Sequence, residues 1–464
     1  MSDWKEYKLD ELVEITSSKR IMRSEYQENG IPFFRSKEII ELNSGNEITT
    51  ELFISKERFL EIKNKFGTPS YGDILLTSVG TLGVPYFVNY KEEFYFKDGN
   101  LTWFRKFNNI LRSKYLYYWL SSPVGRKALK EITIGSTQPA LTITGLKSLA
   151  IHLPTLEEQD YIIEILDHLS SKIQLNTQIN QTLEQIAQAL FKSWFVDFDP
   201  VRAKVQALSD GLSLEQAELA AMQAISGKTP EELTALSQAQ SDHYAELAET
   251  AKAFPCEMVE VDGVEVPKGW EKTTLSEICE MQNGYAFKSS EWTDSGIPVI
   301  KIGSIQSKIL TVEGNGFVSE DNLSLRSNFV LNDGDIVIGL TGAYVGKVGR
   351  MPANKRAMLN QRVAKFLAKQ INESETFYSF IYMNVIQEEF KNFVDFTAQG
   401  SAQPNISTKD ILKYPLLLAN NDVHLAFEKL LKKILDKSIF NSYQNEILSN
   451  SRDLLLPRLL NGKL

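Results

Sequence analysis

The stretch Gly30-Ile-Pro-Phe-Phe-Arg35 returns in the second half of the chain as Gly296-Ile-Pro-Val-Ile-Lys301. Three further pairs of segments match in the same order and at nearly the same offset. These pairs are Trp4–Glu11 with Trp270–Glu277, Tyr71–Leu76 with Asp333–Ile338, and Gly135–Pro139 with Gly400–Pro404. Four matches in one order at nearly one offset predict two copies of one globular unit of about 150 residues.

Each copy has the sequence pattern of an α+β domain. Short apolar runs bounded by Gly, Pro and Asp predict strands at Ile31–Phe34, Ile74–Leu76 and Tyr86–Val88. The clearest helical stretches are Ser113–Leu120 and Thr376–Phe390. Because the two copies share their motifs, we expect them to share this α+β fold.

A long amphipathic helix is expected after each copy, over residues 156–196 and 421–464. Its seam positions recur at spacings of four and three, which is typical of a coiled coil. In the first helix the seam is Ile162, Leu166, Leu169, Ile173, Asn176, Asn180, Leu183, Ala187, Leu190 and Trp194, and the equivalent seam of the second runs from Phe427 to Leu459. An ordinary amphipathic core helix is the alternative. We therefore expect two pseudo-symmetric globular domains joined by two long antiparallel coiled-coil helices.

Asparagine occurs at the same two seam positions in both helices. Asn176 and Asn180 of the first helix match Asn441 and Asn445 of the second at one common offset. In an antiparallel pair, Asn176 would face Asn445 and Asn180 would face Asn441. A buried Asn costs stability, but a shifted pairing would place its amide against Leu. We therefore predict that these four residues fix the register of the helices.

The net charge of −9 is concentrated in one segment. Residues 151–269 hold 7 Lys+Arg and 20 Asp+Glu, a net charge of −13, whereas residues 1–150 hold 21 and 18, a net charge of +3. Residues 197–269 are expected to form an acidic, Ala-rich helical insert and a linker, with helix caps at Ser213-x-x-Gln216 and Thr229-Pro-Glu-Glu232. Such an insert does not exclude DNA binding, but it implies that binding is local or is assisted by a basic partner.

Composition and cysteine usage indicate a cytoplasmic protein. The chain has no run of about 18 apolar residues, and its first residues are charged, so neither a membrane span nor a secretory signal is expected. Cys256 and Cys279 are well separated and form no CxxC motif, which argues against a disulfide framework and a zinc site. The four histidines are far apart in sequence, so no metal site is expected.

No catalytic motif is found. The segment Thr341–Val348 imitates a phosphate-binding loop, but Thr341 replaces its first Gly and Val348 replaces the Ser or Thr that would hold magnesium. A glycine-rich turn between strands is the expected structure there. The acidic pairs Glu157-Glu158 and Glu388-Glu389 lie on expected helices, where solvent exposure explains them. The sequence therefore favours a binding protein over an enzyme.

Two diverged globular copies, each followed by a long helix, resemble the specificity (S) subunits of type I restriction–modification enzymes. The resemblance covers nearly the whole chain and is carried by four duplicated motifs: Trp before Leu-x-Glu, Gly-Ile-Pro, Gly-Asp-Ile and Gly-Ser-x-Gln-Pro. The entry to the first helix, Leu153-Pro-Thr-Leu-Glu-Glu-Gln159, belongs to the same pattern. The second entry, Leu418–His424, departs from it, so we expect a different joint there.

The resemblance implies a division of labour. Residues 1–155 and 270–420 would be target recognition domains, each reading one half of a split, asymmetric sequence in double-stranded DNA. Residues 156–196 and 421–464 would be spacer helices that dock methyltransferase subunits, two of them, and a restriction–translocation subunit would join the complex. These partners would bring S-adenosylmethionine, ATP and Mg²⁺. The chain itself would hold no cofactor and catalyse nothing, while serving DNA methylation and defence against phage.

The candidate DNA contacts are polar residues in three loops that occupy equivalent places in the two copies. In the first copy they are Arg35, Ser36, Lys37, Ser78, Thr81, Ser136, Thr137 and Gln138. In the second copy they are Lys301, Ser304, Thr341, Tyr344, Lys347, Ser401 and Gln403. Arg pairs bidentately with guanine, and Gln or Asn with adenine. The alternative is that repeated residues maintain the fold and that unmatched residues read the DNA.

Two other classes of function stay open. The chain could be a coiled-coil adaptor that binds proteins and never DNA, or a fused enzyme whose catalytic motif is not evident. DNA binding with and without a methyltransferase partner distinguishes the adaptor, and an adenine-methylation assay of the isolated chain addresses the enzyme. Neither the target sequence nor the spacer length follows from the amino-acid sequence.

Overall fold

The computed structural model describes residues 4–44, 48, 50–135, 139–306, 308–398 and 404–460. The chain forms two compact units. The first unit contains the residues up to Thr177 together with those from Asn445 onward, and the second contains Gln178–Gln444. Each unit therefore combines one globular copy with parts of both long helices.

The first unit is a mixed α+β structure. Its strands are β1 (Lys5–Lys8), β2 (Glu14–Thr16), β3 (Tyr26–Gln27), β4 (Ile31–Phe34), β5 (Phe53–Ile54), β6 (Ile74–Thr77), β7 (Pro85–Phe87), β8 (Tyr95–Phe96), β9 (Leu101–Arg105) and β10 (Ala150–Leu153). Its helices are α1 (Leu9–Leu12), α2 (Ser36–Asn43), α3 (Lys56–Phe66), α4 (Ser113–Ser121), α5 (Pro123–Glu131), α6 (Ile143–Ser148) and the first part of α7 (Leu156–Phe195). The expected strands near residues 31, 74 and 86 are all present.

Two four-stranded sheets and a two-stranded ladder build the first unit. One sheet has the order β2-β9-β6-β7, with every pair antiparallel. The other has the order β3-β5-β4-β8, in which β4 and β8 are parallel. All four residues of β6 are buried, because this strand lies between two neighbours and is covered on both faces.

The acidic insert is helical, as expected. It comprises α8 (Asp199–Ser209), α9 (Leu214–Ser226), α10 (Pro230–Ala239) and α11 (Ser241–Ala253), followed by the hairpin strands β11 (Met258–Val261) and β12 (Val264–Pro267). Both predicted caps form: Gln216 N donates to Ser213 Oγ at 3.3 Å, and Glu232 N donates to Thr229 Oγ1 at 3.3 Å. Asp262 and Gly263 form the hairpin turn, where both have positive φ.

The second unit repeats the framework of the first. Its remaining strands are β13 (Glu271–Thr274), β14 (Cys279–Asn283), β15 (Trp292–Thr293), β16 (Ile297–Ile300), β17 (Phe317–Val318), β18 (Val330–Leu331), β19 (Ile336–Gly339), β20 (Val348–Arg350), β21 (Ala357–Leu359), β22 (Val363–Ala368) and β23 (Pro415–Leu418). Its further helices are α12 (Asn322–Leu325), α13 (Tyr378–Val385), α14 (Glu388–Thr397), α15 (Thr408–Ile411) and the first part of α16 (Asn421–Leu459). The chain between β19 and β20 is a turn with a short 3₁₀ helix, Gly342–Tyr344, as the sequence predicts.

The sheet orders of the two units correspond strand by strand. The sheet β14-β22-β19-β20 matches β2-β9-β6-β7. The sheet β15-β17-β16-β21 matches β3-β5-β4-β8 and gains β18 at its edge. The ladder β13-β23 matches β1-β10. The repeated motifs therefore mark a repeated topology.

The helix expected over Thr376–Phe390 is wrong in its extent. The structure has two helices there, α13 and α14, separated by Ile386 and Gln387. Gln387 has extended backbone at ψ 156°, and its side chain donates to the carbonyl of Met383 at 2.7 Å. The first unit breaks at the equivalent place, between α4 and α5, where Ser122 precedes a proline.

The long helices α7 and α16 run antiparallel in each unit. In the first unit Ile162 and Leu166 share a core with Leu456 and Leu459. In the second unit residues from the end of α7 share a core with residues from the start of α16: Phe191, Trp194, Phe195, Phe427 and Leu431. Every predicted seam position of both helices is buried or half-buried. None of the helices in the described ranges is both long and apolar enough to span a membrane.

A buried glutamine forms the joint between the first globular copy and α7. The Gln159 side chain accepts a hydrogen bond from the backbone N–H of Arg112 at 2.9 Å. It donates to the carbonyls of Ile110 at 2.9 Å and Pro154 at 3.1 Å. Because helix starts leave backbone groups without partners, this amide fixes the start of α7 against the start of α4.

A histidine takes the same place in the second unit. The offset between the two helices pairs Gln159 with His424, whose Nε2 accepts from the backbone N–H of Ala419 at 3.1 Å. The ring is fully buried and packs against three phenylalanines: Phe195, Phe377 and Phe380. The departure from the first helix entry therefore changes the chemistry of the joint and keeps its position.

Candidate nucleic-acid interface

The first and second candidate loops of the first unit lie side by side. Residues 35–37 begin α2, and residues 78–81 follow β6. Both loops line one open concave surface of about 560 Å³, which they share with Asn100. Residues from two separate loops thus meet at one surface, as a binding site requires.

A turn that sequence reasoning missed connects these loops. The segment Lys97–Asn100, here called the bridging turn, joins β8 to β9. Its Lys97 N–H donates to the carbonyl of Phe34 at 2.8 Å, directly before the first loop. Its Asn100 carbonyl accepts from the N–H of Ser78 at 2.8 Å, in the second loop. The polar residues between two buried strands were the available signal in the sequence.

The base of the third loop of the first unit is hydrogen-bonded to the second loop of the same unit. Ser136, Thr137 and Gln138 lie outside the described residues, so their positions remain predictions. The chain that follows them is described: Ala140 pairs with Val79, and Leu141 N–H donates to the carbonyl of Ser78 at 3.0 Å. The base of the third loop is therefore hydrogen-bonded to the second loop.

The second unit joins its loops in the same way. Its bridging turn is Asn360–Arg362. The carbonyl of Arg362 accepts a hydrogen bond from Leu340 N–H at 2.9 Å, and the N–H of Asn360 donates to the carbonyl of Ile300 at 3.2 Å. Pro404, after the third loop, accepts from Gly342 N–H at 2.9 Å. Ser401 and Gln403 lie outside the described residues, and their role stays a prediction.

Three of the predicted contact residues have enclosed hydroxyls. Ser78 is buried, and its Oγ lies 2.7 Å from Thr102 Oγ1 and 3.2 Å from the carbonyl of Leu76. Ser304 is fully buried, and its Oγ accepts from Lys301 N–H at 3.2 Å. The Oγ of Ser36 is also enclosed. Ser78 and Ser304 are therefore structural residues, because a base edge cannot reach a hydroxyl that is bonded inside the fold, whereas the role of Ser36, which lines the open surface, stays a prediction.

The accessible candidates include four cations with distinct environments. The Arg35 guanidinium donates to the buried carboxylate of Glu38 at 2.6 Å, and this bond raises the pKa of Arg35. A third of the Arg35 side chain remains exposed, so the pair holds it in one orientation with free donors. The ammonium of Lys37 lies 3.7 Å from Glu41. Arg35 is thus the more rigidly placed of the two.

In the second unit the cations rest on aromatic rings. The Nζ of Lys301 lies 3.9 Å from the ring centre of Trp292. The Nζ of Lys347 lies 4.6 Å from the ring centre of Tyr344, and both residues are candidates in the second loop. Thr341 in this loop is half-exposed, and its counterpart in the first unit, Thr81, is exposed. Cation–π contact leaves ammonium donors available for phosphate or base edges.

No site for a metal ion is formed by His, Cys, Asp or Glu side chains within the described ranges. Cys279 is buried in β14, and burial raises the pKa of its thiol to about 12. A thiol with so high a pKa is a poor nucleophile and a poor ligand.

Both predicted asparagine pairs form hydrogen bonds. In the first unit Asn176 Nδ2 donates to Asn445 Oδ1 at 3.0 Å, and Asn445 Nδ2 donates to Thr177 Oγ1 at 3.2 Å. The second unit repeats this pattern, and its donor–acceptor pairs are Asn441 Nδ2 to Asn180 Oδ1 at 2.9 Å and Asn180 Nδ2 to Ser442 Oγ at 3.2 Å. The predicted pairing is confirmed, and the role of the pairs in register remains a hypothesis.

Comparison with known proteins gives one consistent result. The family profile described as "Type I restriction modification DNA specificity domain" matches residues 1–185 and 267–422. The chain is 39% identical to the type I restriction enzyme HindI specificity subunit of Haemophilus influenzae, over the full length of both chains. It is 25% identical to the MjaIX specificity subunit of Methanocaldococcus jannaschii, over all of this chain and 94% of that one.

A solved structure supports the same fold. The S subunit of a type I restriction–modification system from M. genitalium matches with a TM-score of 0.56 at 16% sequence identity. The match covers 99% of this chain and 96% of that chain.

Proposed function

The chain belongs to the family of type I restriction–modification specificity subunits, and on that premise we propose that it reads a two-part DNA sequence, one part with each globular unit. The observation that carries the proposal is the gathering of loops in both units. In each unit a bridging turn ties the loop after the β4 or β16 strand to the loop after β6 or β19. Equivalent frameworks thus present different side chains.

The differing side chains explain how two halves of a target can differ. The first unit offers Arg35, Lys37 and Thr81, whereas the second offers Lys301, Thr341, Tyr344 and Lys347. Arg suits bidentate contact with guanine, and Lys also contacts guanine or phosphate. Because the backbone frame is shared, both units approach the duplex in the same manner, and the side chains select different bases.

The partners proposed for the chain follow from its family. Two methyltransferase subunits dock on α7 and α16, and a restriction–translocation subunit completes the complex. S-adenosylmethionine, ATP and Mg²⁺ belong to those subunits, and this chain supplies recognition without catalysis. The net charge of −9 gives the isolated chain little long-range attraction to DNA, so the partners add the cationic surface that tight binding needs.

A binding measurement separates this function from that of an adaptor that never contacts DNA. The full-length chain is titrated onto duplex DNA that carries its target, alone and with the methyltransferase subunits, and onto a scrambled duplex as the control. We expect weak binding of the chain alone and tight, sequence-dependent binding of the complex. Equal binding of target and scrambled duplexes by the complex contradicts the proposal.

A further inference from the structure

The bridging turn of the second unit is held on three sides. Besides its hydrogen bonds to Ile300 and Leu340, the turn donates from Gln361 N–H to the carbonyl of Tyr285 at 2.9 Å. Gly284 approaches so closely that a Cβ there would lie 1.9 Å from the carbonyl oxygen of Asn360. The backbone of this turn is therefore fixed by its neighbours before any ligand binds.

Arg362 has an unusual backbone conformation in this turn. Its φ is 69°, in the left-handed region that residues other than Gly, Asn and Asp seldom adopt. In the first unit the positive φ of the bridging turn falls on Gly99, one residue before Asn100, whose carbonyl makes the hydrogen bond equivalent to that of Arg362. An arginine that occupies a strained position suited to glycine indicates that the side chain has a use.

The Arg362 side chain is exposed, and among the described residues it makes no hydrogen bond or ion pair. Two other arginines of the second unit are tied into the fold. Arg326 pairs with Glu291 at 2.6 Å, and the buried Arg350 donates to the carbonyl of Leu435 at 3.1 Å. Arg362 therefore presents an unpaired guanidinium, among the described residues, from a turn whose backbone is fixed beside two of the candidate loops.

We propose that Arg362 reads a guanine in the half of the DNA target that the second unit contacts. The inference rests on the function proposed above and names a specificity-determining residue for it. A planar guanidinium can donate two parallel hydrogen bonds to guanine O6 and N7, and the fixed turn gives it the orientation that such a contact requires. A phosphate contact would need only the charge.

The test compares Arg362 variants in the full-length chain bound to its methyltransferase subunits. Duplexes with randomised sequence are selected by the complex and sequenced. R362A should lower the preference for guanine at one position of one half-site by about 10- to 100-fold and leave the other half-site unchanged. R362K should restore the preference only in part, because a lysine can still donate to guanine but loses the planar fork. R362G should raise the melting temperature, because it relieves the left-handed strain, and should lose the same preference.

Arg356 supplies the matched control. It is exposed and stands directly before β21, whereas Arg362 lies in the turn at the other end of that strand. R356A makes the same change of charge and should leave the selected sequence unchanged.

Two results would overturn the inference alone. One is an unchanged guanine preference in R362A and R362G. The other is uniform weakening on all sequences that R362K restores, which would make Arg362 a phosphate contact. A wild-type complex that selects no sequence would overturn the proposed function itself, and with it this inference.

Discussion

The two units fix their long helices at the same place with different chemistry. In the first unit the neutral amide of Gln159 satisfies backbone groups at the start of α4. In the second unit His424 takes the equivalent place, and Glu428, one turn further along α16, accepts hydrogen bonds from the N–H groups of Ser379 and Phe380, each at 2.9 Å. Backbone groups at this joint therefore bind a neutral side chain in one unit and titratable side chains in the other, which gives a neutral and a titratable solution. Only the titratable solution makes the contribution of the joint to stability depend on pH.

The two titratable groups of the second joint have pKa values shifted in opposite directions. Burial lowers the pKa of His424 from 6.5 to about 3. Burial also raises the pKa of Glu428 from 4.5 to about 7, although the two backbone N–H groups act against this shift. For His424 the unfolded chain binds more protons between pH 3 and 6.5, so its contribution to stability is lost as the pH falls. For Glu428 the folded chain binds more protons between pH 4.5 and 7, so its contribution is lost as the pH rises.

The largest expected effect is therefore an acid sensitivity of the second unit. Between pH 4.5 and 6.5 the two contributions oppose each other, and below pH 4.5 His424 acts alone with a slope of about 1.4 kcal/mol per pH unit. H424Q imports the residue of the first unit and should remove the His424 share of the loss in acid, while the Glu428 contribution is still lost as the pH rises from 4.5 to 7. E428Q should do the opposite and expose the histidine slope. Hydrogen exchange measured by mass spectrometry reports each unit separately.

The matched control is Q159H in the first unit, which should make that unit sensitive to acid. If H424Q left the pH dependence of hydrogen exchange in the second unit unchanged, the titratable joint would not be its origin.

The expected effect of intermediate size is the change in stability when the asparagine pairs of the two units are replaced. N176L should destabilise the first unit by about 1–3 kcal/mol, because Asn445 loses its buried donor. The double variant N176L/N445L should recover stability, because it removes both polar groups. N441L and N180L/N441L should repeat these effects in the second unit, since the hydrogen-bond pattern is the same. Thermal unfolding of these variants, of wild type and of a variant with Leu at all four Asn positions, here called the four-Leu variant, measures these changes.

A second readout of the same series tests register. The four-Leu variant should be more stable than wild type but less selective for the length of DNA between the two half-sites. If that variant discriminated spacer length as well as wild type does, the asparagines would not fix the register of the helices.

The smallest expected effect concerns Ser78. Its hydroxyl pairs with Thr102, whereas the equivalent pair in the second unit is Leu340 and Ala364, both buried and apolar. S78A should cost about 1–2 kcal/mol, because Thr102 is left without this partner. S78L/T102A imports the apolar pair and should recover part of the loss. Neither variant should alter the methylated sequence, and a changed sequence would return Ser78 to the DNA contacts.

The repeat in the sequence was sufficient to predict that the two copies share one fold, and to predict the long helices and the asparagine pairs, because a nearly constant offset maps each residue onto its equivalent. It was insufficient for the bridging turns, because hydrogen bonds between distant strands bring residues such as Arg362 to the loops. Burial of Ser78 was also missed, since every residue of β6 is buried and no alternation marks an outer face. His424 differs in type from Gln159, so matching letters could not identify it as the second joint.

The most direct test of the central claim exchanges one reader. Residues 1–150 are replaced by the equivalent unit of another specificity subunit whose methylated sequence differs, and the genome of a host that expresses the complete complex is sequenced for methyladenine. Modular reading predicts that one half of the methylated sequence changes to that of the donor, while the other half stays as in wild type. A chimera that methylates DNA with both halves altered, or with neither altered, would contradict the account.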